Sequence, residues 1–496
     1  MNGMPIFAFV SASVIIWPSL VVTMMSNIKR EDISMNISMR KMTWLLAATV
    51  SAVLTSSALA AVSAEEAKKL GGPVLTEFGA ERAGNAEGTI PAYTGERVKF
   101  KFVSPGDVSN LADPWGEKPL FTITAQNVQQ YAKYLSEGQK ETFKVYPTYR
   151  MDIYPSHRTH VMPKYLLDNT LKNATACKSV KDGLSMEGCY AGVPFPIPKT
   201  ANEVMWNHEL YWDAVNYGGK FRSLVVPKGQ TKAFIQTEQD CWEHKVLFEP
   251  KRTTALSPSE IYFETRCNFF GPARKAGEKL LLLETIDPSN PGLRAYQYIP
   301  GQRRVKLSPD LAYDTPSPVS GGYSTMDEIR VFAGALDRYD FKLVGKTEKY
   351  IPYNNFTSTD YKTCPLDVLT ATPGFPNPLC IRWELHRVWM IEATLKPGFR
   401  HIYPKRTFYW DEDTAGAGVG ESYDASGHMF RIGLNMSHPI PGEAGTFSGC
   451  TFVLDLLSGG WANSCVTNAP GSGWKIQPPV DRTFFSPEDM AGSGIR

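Results

Sequence analysis

Eight cysteines, all between residues 177 and 465, constrain this chain more than any other feature. They fall into four close pairs: Cys177 and Cys189, Cys241 and Cys267, Cys364 and Cys380, and Cys450 and Cys465. Spacing alone leaves the connectivity open. Sequential pairing is expected, because each bridge then staples one local loop or hairpin. A bridge of that kind contributes roughly 2–4 kcal/mol by restricting the unfolded chain. Reduced, buried cysteine is the competing reading. A zinc site is disfavoured: no C-x-x-C occurs, and Cys241–His244 has no second half at ligand spacing.

An export signal precedes the cysteines. Met39-Arg40-Lys41 supplies the positive start, Trp44 to Leu54 a short apolar run, and Ser56-Ser57-Ala58-Leu59-Ala60 a small-residue cleavage site, so residues 39–60 read as a signal peptide. Ala61 would then begin the mature chain. Residues 1–38 hold a second apolar stretch, Pro5 to Met25. They read as an overcalled start, with translation beginning at Met39, or as an extra hydrophobic segment. Cysteine pairs behind a signal peptide place the folded part in an oxidising compartment.

Charge narrows the partners. The chain carries 52 Lys and Arg against 50 Asp and Glu. Nucleic acid is excluded as the main partner, since phosphate binding needs clustered positive charge. Aromatics make up 12% of the residues, with 40 Gly and 36 Pro, which suits many short strands joined by turns. Residues 61–496 are expected to form one large domain with loose ends at 61–96 and 486–496.

Along the chain, Val98 to Val103 reads as a strand. Thr124 is expected to cap a helix running to about Lys144, and Lys164 to Ala174 forms a second helix. Thr200-Ala201-Asn202-Glu203 is a capping box that starts a third. From Lys220 onward strand patterns dominate, interrupted by an expected short helix over Met326 to Gly334. Trp383 to Leu395 and Ser422 to Asn435 are long for strands. The fold class is therefore α+β and β-rich, with a large curved antiparallel sheet that can wrap a cavity or close partly into a barrel.

Several segments resemble one family. Gly192-Val-Pro-Phe-Pro-Ile-Pro-Lys-Thr200, Glu203-Val-Met-Trp-Asn-His208, Tyr298-Ile-Pro-Gly-Gln-Arg-Arg-Val305, Trp383-Glu-Leu-His-Arg-Val-Trp389 and Tyr403-Pro-Lys-Arg-Thr-Phe408 are similar to signatures of the domain of unknown function 1329. That family is regarded as related to the outer-membrane lipoprotein-sorting proteins (LolA/LolB-like), so the resemblance implies a half-closed antiparallel β-barrel with a helical lid over an apolar cavity. The resemblance implies a periplasmic binder or carrier of lipid-like hydrophobic molecules, working with an exporter and an outer-membrane protein. It carries over no catalytic residues and no cofactor.

An acyl-chain carrier needs a concave sheet lined by large apolar side chains. Candidate wall residues lie on the strand runs: Tyr262, Phe263, Phe269 and Phe270, then Tyr296 and Tyr298. Trp383, Trp389, Met390, Phe408 and Trp410 extend the set. Adjacent strand residues face opposite ways, so Phe269 and Phe270 exclude each other. Arg303 and Arg304 are candidates to meet a carboxylate or phosphate head at the cavity mouth. Motifs for chemistry are weak, so no enzyme is expected. His157-Arg-Thr-His160 is awkward for chelation on extended chain. Asp411-Glu-Asp413-Thr-Ala-Gly416 begins like a calcium loop but has Ser422 where a bidentate Glu belongs. The lone histidines His208, His386 and His401 read as structural. An exported hydrolase and an outer-membrane docking or assembly factor are the alternatives.

Overall fold

Alternation of apolar and polar residues decides most of the secondary structure. The computed structural model describes residues 62–442 and 445–492; the expected signal peptide and the stretch before it lie outside these. In chain order the strands are β1 (Lys101–Phe102), β2 (Leu111–Ala112), β3 (Phe121–Thr124), β4 (Arg150–Ile153), β5 (Lys178–Val180), β6 (Ser185–Glu187), β7 (Asn216–Val226), β8 (Phe234–His244), β9 (Ile261–Gly271) and β10 (Lys279–Thr285). They continue with β11 (Arg294–Ile299), β12 (Arg304–Leu307), β13 (Tyr339–Pro352), β14 (Trp383–Leu395), β15 (Lys405–Asp411), β16 (Gly418–Tyr423), β17 (Met429–Pro439), β18 (Thr446–Asp455), β19 (Gly460–Val466) and β20 (Gly473–Ile476).

Sixteen of these strands form one sheet among the described residues. Its main path runs β12-β11-β10-β9-β8-β7-β19-β18-β17-β16-β15-β14-β4-β3 and does not return on itself, so the sheet is not closed. β13 pairs with β14, and β20 with β7. All pairings are antiparallel except a short parallel contact of β14 with β4, where Trp383 meets Ile153. Meander connections explain the antiparallel order: successive long strands need only turns between them.

The Thr200 capping box forms as expected, with Thr200 Oγ1 accepting from the Glu203 N–H, and starts the helix Ala201–Glu209. The helix expected from Thr124 is instead a 3-10 stretch, Val128–Tyr134, and a separate helix, Glu137–Val145, capped by Ser136. Ser136 and Gln139 satisfy each other's backbone there, which sets the new start. The helix expected over Met326 to Gly334 is reduced to a 3-10 turn, Met326–Glu328. Arg330 and Val331 take positive φ values of 55° and 74°, which no right-handed helix accommodates. Residues 486–492, expected to be loose, hold a helix whose Met490 is fully buried against Leu281, Leu283 and Tyr298 on the outer face of β10 and β11. Within 62–96 the chain has little regular structure, yet Phe78, Ala80 and Ile90 are buried against the body of the protein. Among the described residues no helix is long and apolar enough to cross a membrane.

Three of the four expected bridges are bonded: Cys177–Cys189, Cys241–Cys267 and Cys364–Cys380. Cys241 and Cys267 stand directly opposite each other on β8 and β9. Cys450 and Cys465 are thiols, buried, with their sulfurs 2.8 Å apart. An exported chain that meets an oxidant should close this pair as well. Protein isolated without reductant, then unfolded and alkylated, is expected to take up no label by intact mass. Two labels per chain, on peptides carrying Cys450 and Cys465, would show that the pair stays reduced.

Candidate functional site

The hollow lies on the inner face of β7 to β10. It encloses a cavity of about 320 Å³, at the lower end of the usual range for small-molecule sites, roughly 300–1,000 Å³. Period-two alternation builds the wall. On β9, Phe263, Thr265, Cys267 and Phe269 point inward, and on β10 so do Leu280, Leu282 and Glu284. Tyr217 and Phe221 come from β7, Gln239 and Glu243 from β8. Trp206, from the helix Ala201–Glu209, closes part of the rim.

A bulge adds one inward side chain. Glu284 pairs with Phe263 while Thr285 pairs with Ile261, so Tyr262 is the extra residue and lines the cavity beside Phe263. Without that bulge the alternation excludes one of the two. It holds at the other end of the strand: Phe269 faces in, and Phe270 is 51% exposed.

The remaining sequence candidates sit elsewhere. Tyr296 pairs with Leu281 and Tyr298 with Lys279, which places both on the outer face of the sheet, under the C-terminal helix. Trp383 is in the main core. Phe408 and Trp410 are fully buried in a second core. There His208 stacks on Trp410 with ring centroids 3.5 Å apart, and the Trp410 indole N–H donates to Met205 Sδ at 3.3 Å. Trp389 packs against that core, under Lys346, and Met390 against the main one. Arg303 and Arg304 do not reach the cavity: Arg303 ends the exposed turn between β11 and β12, and Arg304 is the exposed first residue of β12. Of the candidate wall residues, Tyr262, Phe263 and Phe269 meet in the cavity.

The roof is the segment between β12 and β13. Ala312, Val319, Met326 and Ile329 supply its apolar part, and Arg330 projects from it into the cavity. The paired positive φ values turn Arg330 and Val331 to opposite sides. Val331 seats against Gly420 and Gly433, where a Cβ on Gly420 would stand 2.4 Å from Val331 Cγ1. Phe332 locks the segment against Phe408, edge to face at 5.4 Å. The Arg330 guanidinium lies 4.9 Å from the Phe263 ring and 5.8 Å from the Tyr211 ring.

One end of the cavity is therefore polar. The Tyr217 hydroxyl donates to Glu243 Oε2 at 2.5 Å, and the Tyr262 hydroxyl to Glu284 Oε2 at 2.9 Å. Burial pushes both carboxyls above their ordinary range, and the charge of Arg330 opposes that rise. Glu209 stands behind them; burial pushes it up to about 8, again against the pull of Arg330. Its Oε1 accepts from the Gly334 N–H at 2.9 Å, while Oε2 is buried without a partner. Sequence reasoning missed Arg330, Glu243 and Glu284. A signal was present for one: Glu284 continues the alternation of Leu280 and Leu282, a carboxyl in an otherwise apolar register.

A second polar cluster lies outside the cavity lining, and its groups are already engaged. Arg158 holds Asp413 through both oxygens, at 2.6 and 2.8 Å. Lys346 and Arg387 hold Glu412. Asp411 Oδ2 accepts from the Asp413 and Thr414 N–H groups of its own loop. His386, Asp411 and Asp413 lie close enough together to share an ion, but Asp413 is committed to Arg158. His157 stacks on Trp115 and meets Glu117, whereas His160 meets Thr446, so the two do not converge. His401 Nε2 lies 3.0 Å from Asp327 Oδ2, and its Nδ1 accepts from the Tyr403 N–H. His208 is held between the carbonyls of Ala415 and Phe332. Each of these histidine rings is held by a neighbouring group of the fold.

The family model described as "Protein of unknown function (DUF1329)" matches residues 122–491. This chain belongs to the DUF1329 family. An uncharacterized protein of Pseudomonas aeruginosa is 37% identical over 452 residues, covering 90% of this chain and 96% of that relative. Among solved structures, a DUF1329 family protein from Desulfovibrio piger aligns at TM-score 0.37 and 12% identity, covering 58% of this chain and 96% of that one. A LolA superfamily protein from Nitrosomonas europaea aligns at TM-score 0.33 and 11% identity, covering 58% and 98%. The DUF1329 match takes in the cavity and its roof, since both lie within residues 206–474.

Proposed function

We propose that this DUF1329 protein is a periplasmic binding or carrier protein for lipid-like hydrophobic molecules, and that it does so without chemistry, passing its cargo between an exporter and the outer membrane. The observation that carries the reading is the cavity in the hollow of β7 to β10, walled by Phe221, Phe263, Phe269, Leu280 and Leu282. Apolar surface brought into such a wall contributes roughly 25 cal/mol per Å². An acyl chain therefore gains by entering. The three disulfides fit an exported protein.

Leu282→Trp is the test. Leu282 faces the cavity from the middle of β10, so the indole takes up the space a chain would occupy. A fluorescent fatty-acid probe is expected to bind the natural protein and to lose at least about tenfold in affinity, about 1.4 kcal/mol, in the variant. Phe270→Ser, on the exposed face of the neighbouring strand, serves as the control that leaves binding unchanged. No binding by the natural protein, or equal binding by Leu282→Trp, would remove the carrier reading.

A further inference from the structure

Arg330 is a buried guanidinium that lies within 4.0 Å of no carboxylate oxygen among the described residues. Its charge nevertheless acts on Tyr211, Glu209, Glu243 and Glu284. Buried charges are ordinarily paired and hydrogen-bonded, because leaving them apart costs several kcal/mol. Here aromatic faces flank the cation, and Glu243 and Glu284 line the same cavity with no ion pair to it within 4.0 Å among the described residues. The backbone reinforces the arrangement. A valine at φ 74° is a steric outlier, and the conformation persists because Val331 and Phe332 are clamped against Gly420, Gly433 and Phe408. The clamp holds Arg330 over the cavity and away from the carboxyls.

The carboxyls are prepared in the same way. Glu243 and Glu284 are each anchored through Oε2 by a tyrosine hydroxyl and are half-buried, lining the cavity. A group that enters between them and Arg330 meets N–H donors on one side and carboxyl oxygens on the other. It has to satisfy both. A head that only accepts leaves the carboxyls bare, and a head that only donates, or is a bare cation, faces Arg330.

We infer that the cavity takes a single-chain amphiphile whose head group both accepts and donates hydrogen bonds, the acceptor meeting Arg330 and the donor meeting Glu243 and Glu284. The inference rests on the carrier reading and adds the chemical class of the cargo. Two sources share this chemistry: a neutral head with hydroxyls, as in a monoacylglycerol, and a zwitterionic head with phosphate and ammonium, as in a lysophosphatidylethanolamine. Three carboxyls around one arginine disfavour a purely anionic head. Arg330 disfavours a purely cationic one.

The test keeps the chain constant and varies the head. Monopalmitoylglycerol, palmitoyl lysophosphatidylethanolamine, methyl palmitate (which only accepts) and hexadecyltrimethylammonium are each titrated against the full mature protein by competition with a fluorescent fatty-acid probe. At least one of the first two is expected to bind about tenfold or more tighter than methyl palmitate and hexadecyltrimethylammonium, because a buried polar site rejects the analogue that leaves it unpaired. Whichever of the two is tighter identifies the source. The double variant Glu243→Gln, Glu284→Gln is expected to lose that preference while holding methyl palmitate as before. Equal affinities across all four heads would overturn the inference and leave the carrier reading standing. Failure of every amphiphile to displace the probe, or failure of the probe itself to bind, would overturn both. A double variant that weakens all four heads alike would also overturn the inference, since the carboxyls would then shape the cavity without reading the head.

Discussion

Asp413→Ala should lower the free energy of unfolding by about 3–5 kcal/mol, the size expected when one partner of a buried ion pair is removed. Arg158 Nε and Nη2 meet the two Asp413 oxygens at 2.8 and 2.6 Å, and their side chains are 2% and 1% exposed. Bidentate geometry fixes both the distance and the plane of the pair. Removing the carboxylate leaves the guanidinium buried with Glu412 at 3.7 Å as its remaining anion, and Glu412 is already shared with Lys346 and Arg387. Arg158 also reaches the Arg82 carbonyl and lies over the Tyr93 ring, so the damage extends to the segment that holds Arg82 and Tyr93. Urea unfolding should show the midpoint fall with an unchanged slope. Replacing both partners together, Arg158→Met with Asp413→Leu, should recover most of the loss, because well-packed apolar groups substitute for a buried pair at little cost. A single-variant loss below about 1 kcal/mol would mean that the pair behaves as a surface salt bridge.

What was legible in the sequence follows the range of the interactions involved. Strands such as β9 and β14 are written in local alternation, and the Thr200 box and three bonded cysteine pairs are local as well. The side of the sheet that a strand residue faces is not local. Tyr296 and Tyr298 fall on the outer face because their partners, Leu281 and Lys279, are outward residues of β10. Tyr262 joins Phe263 in the wall because of one extra residue opposite Glu284 and Thr285. Arg330 is less legible still. Its partners come from a helix (Glu209) and two strands (Glu243 and Glu284), and the helical pattern around it is overridden by the packing of Val331 and Phe332. Arg303 and Arg304 show the converse. An arginine pair beside an aromatic strand looks like an anion site in one dimension and is an exposed hairpin turn in three.

The same buried network makes stability depend on pH, and His386 carries the largest expected step. Its ring lies between Glu384 Oε2 and Asp411 Oδ1, each 3.2 Å from a ring nitrogen, and stacks on Tyr353 at 4.0 Å. Burial alone would lower its pKa; the two carboxylates more than offset that and push it up to about 9. Around it, Arg382 holds Glu384, Asn354 donates to Glu384, and Arg158 holds Asp413. In the unfolded chain a histidine titrates near 6.5. The folded value is the higher one, so this contribution is fully present below about pH 6.5 and is lost as pH rises through about 9. A separation of that size corresponds to about 3 kcal/mol. Glu209, at about 8, and Glu421, at about 7, are also raised by burial and weaken the fold over part of the same window. The total slope therefore cannot be assigned to one group, and a difference is needed. His386→Gln removes the imidazolium and leaves the other two carboxyls in place, and their contributions cancel between the two proteins so long as the sites act independently. The stability gap between natural protein and variant is expected to shrink by about 3 kcal/mol between pH 6 and pH 9.5, measured by urea unfolding at both values. A gap that stays constant across the window would mean that His386 is neutral in the fold, and that Glu384 and Asp411 are held by Arg382 and the loop N–H groups alone.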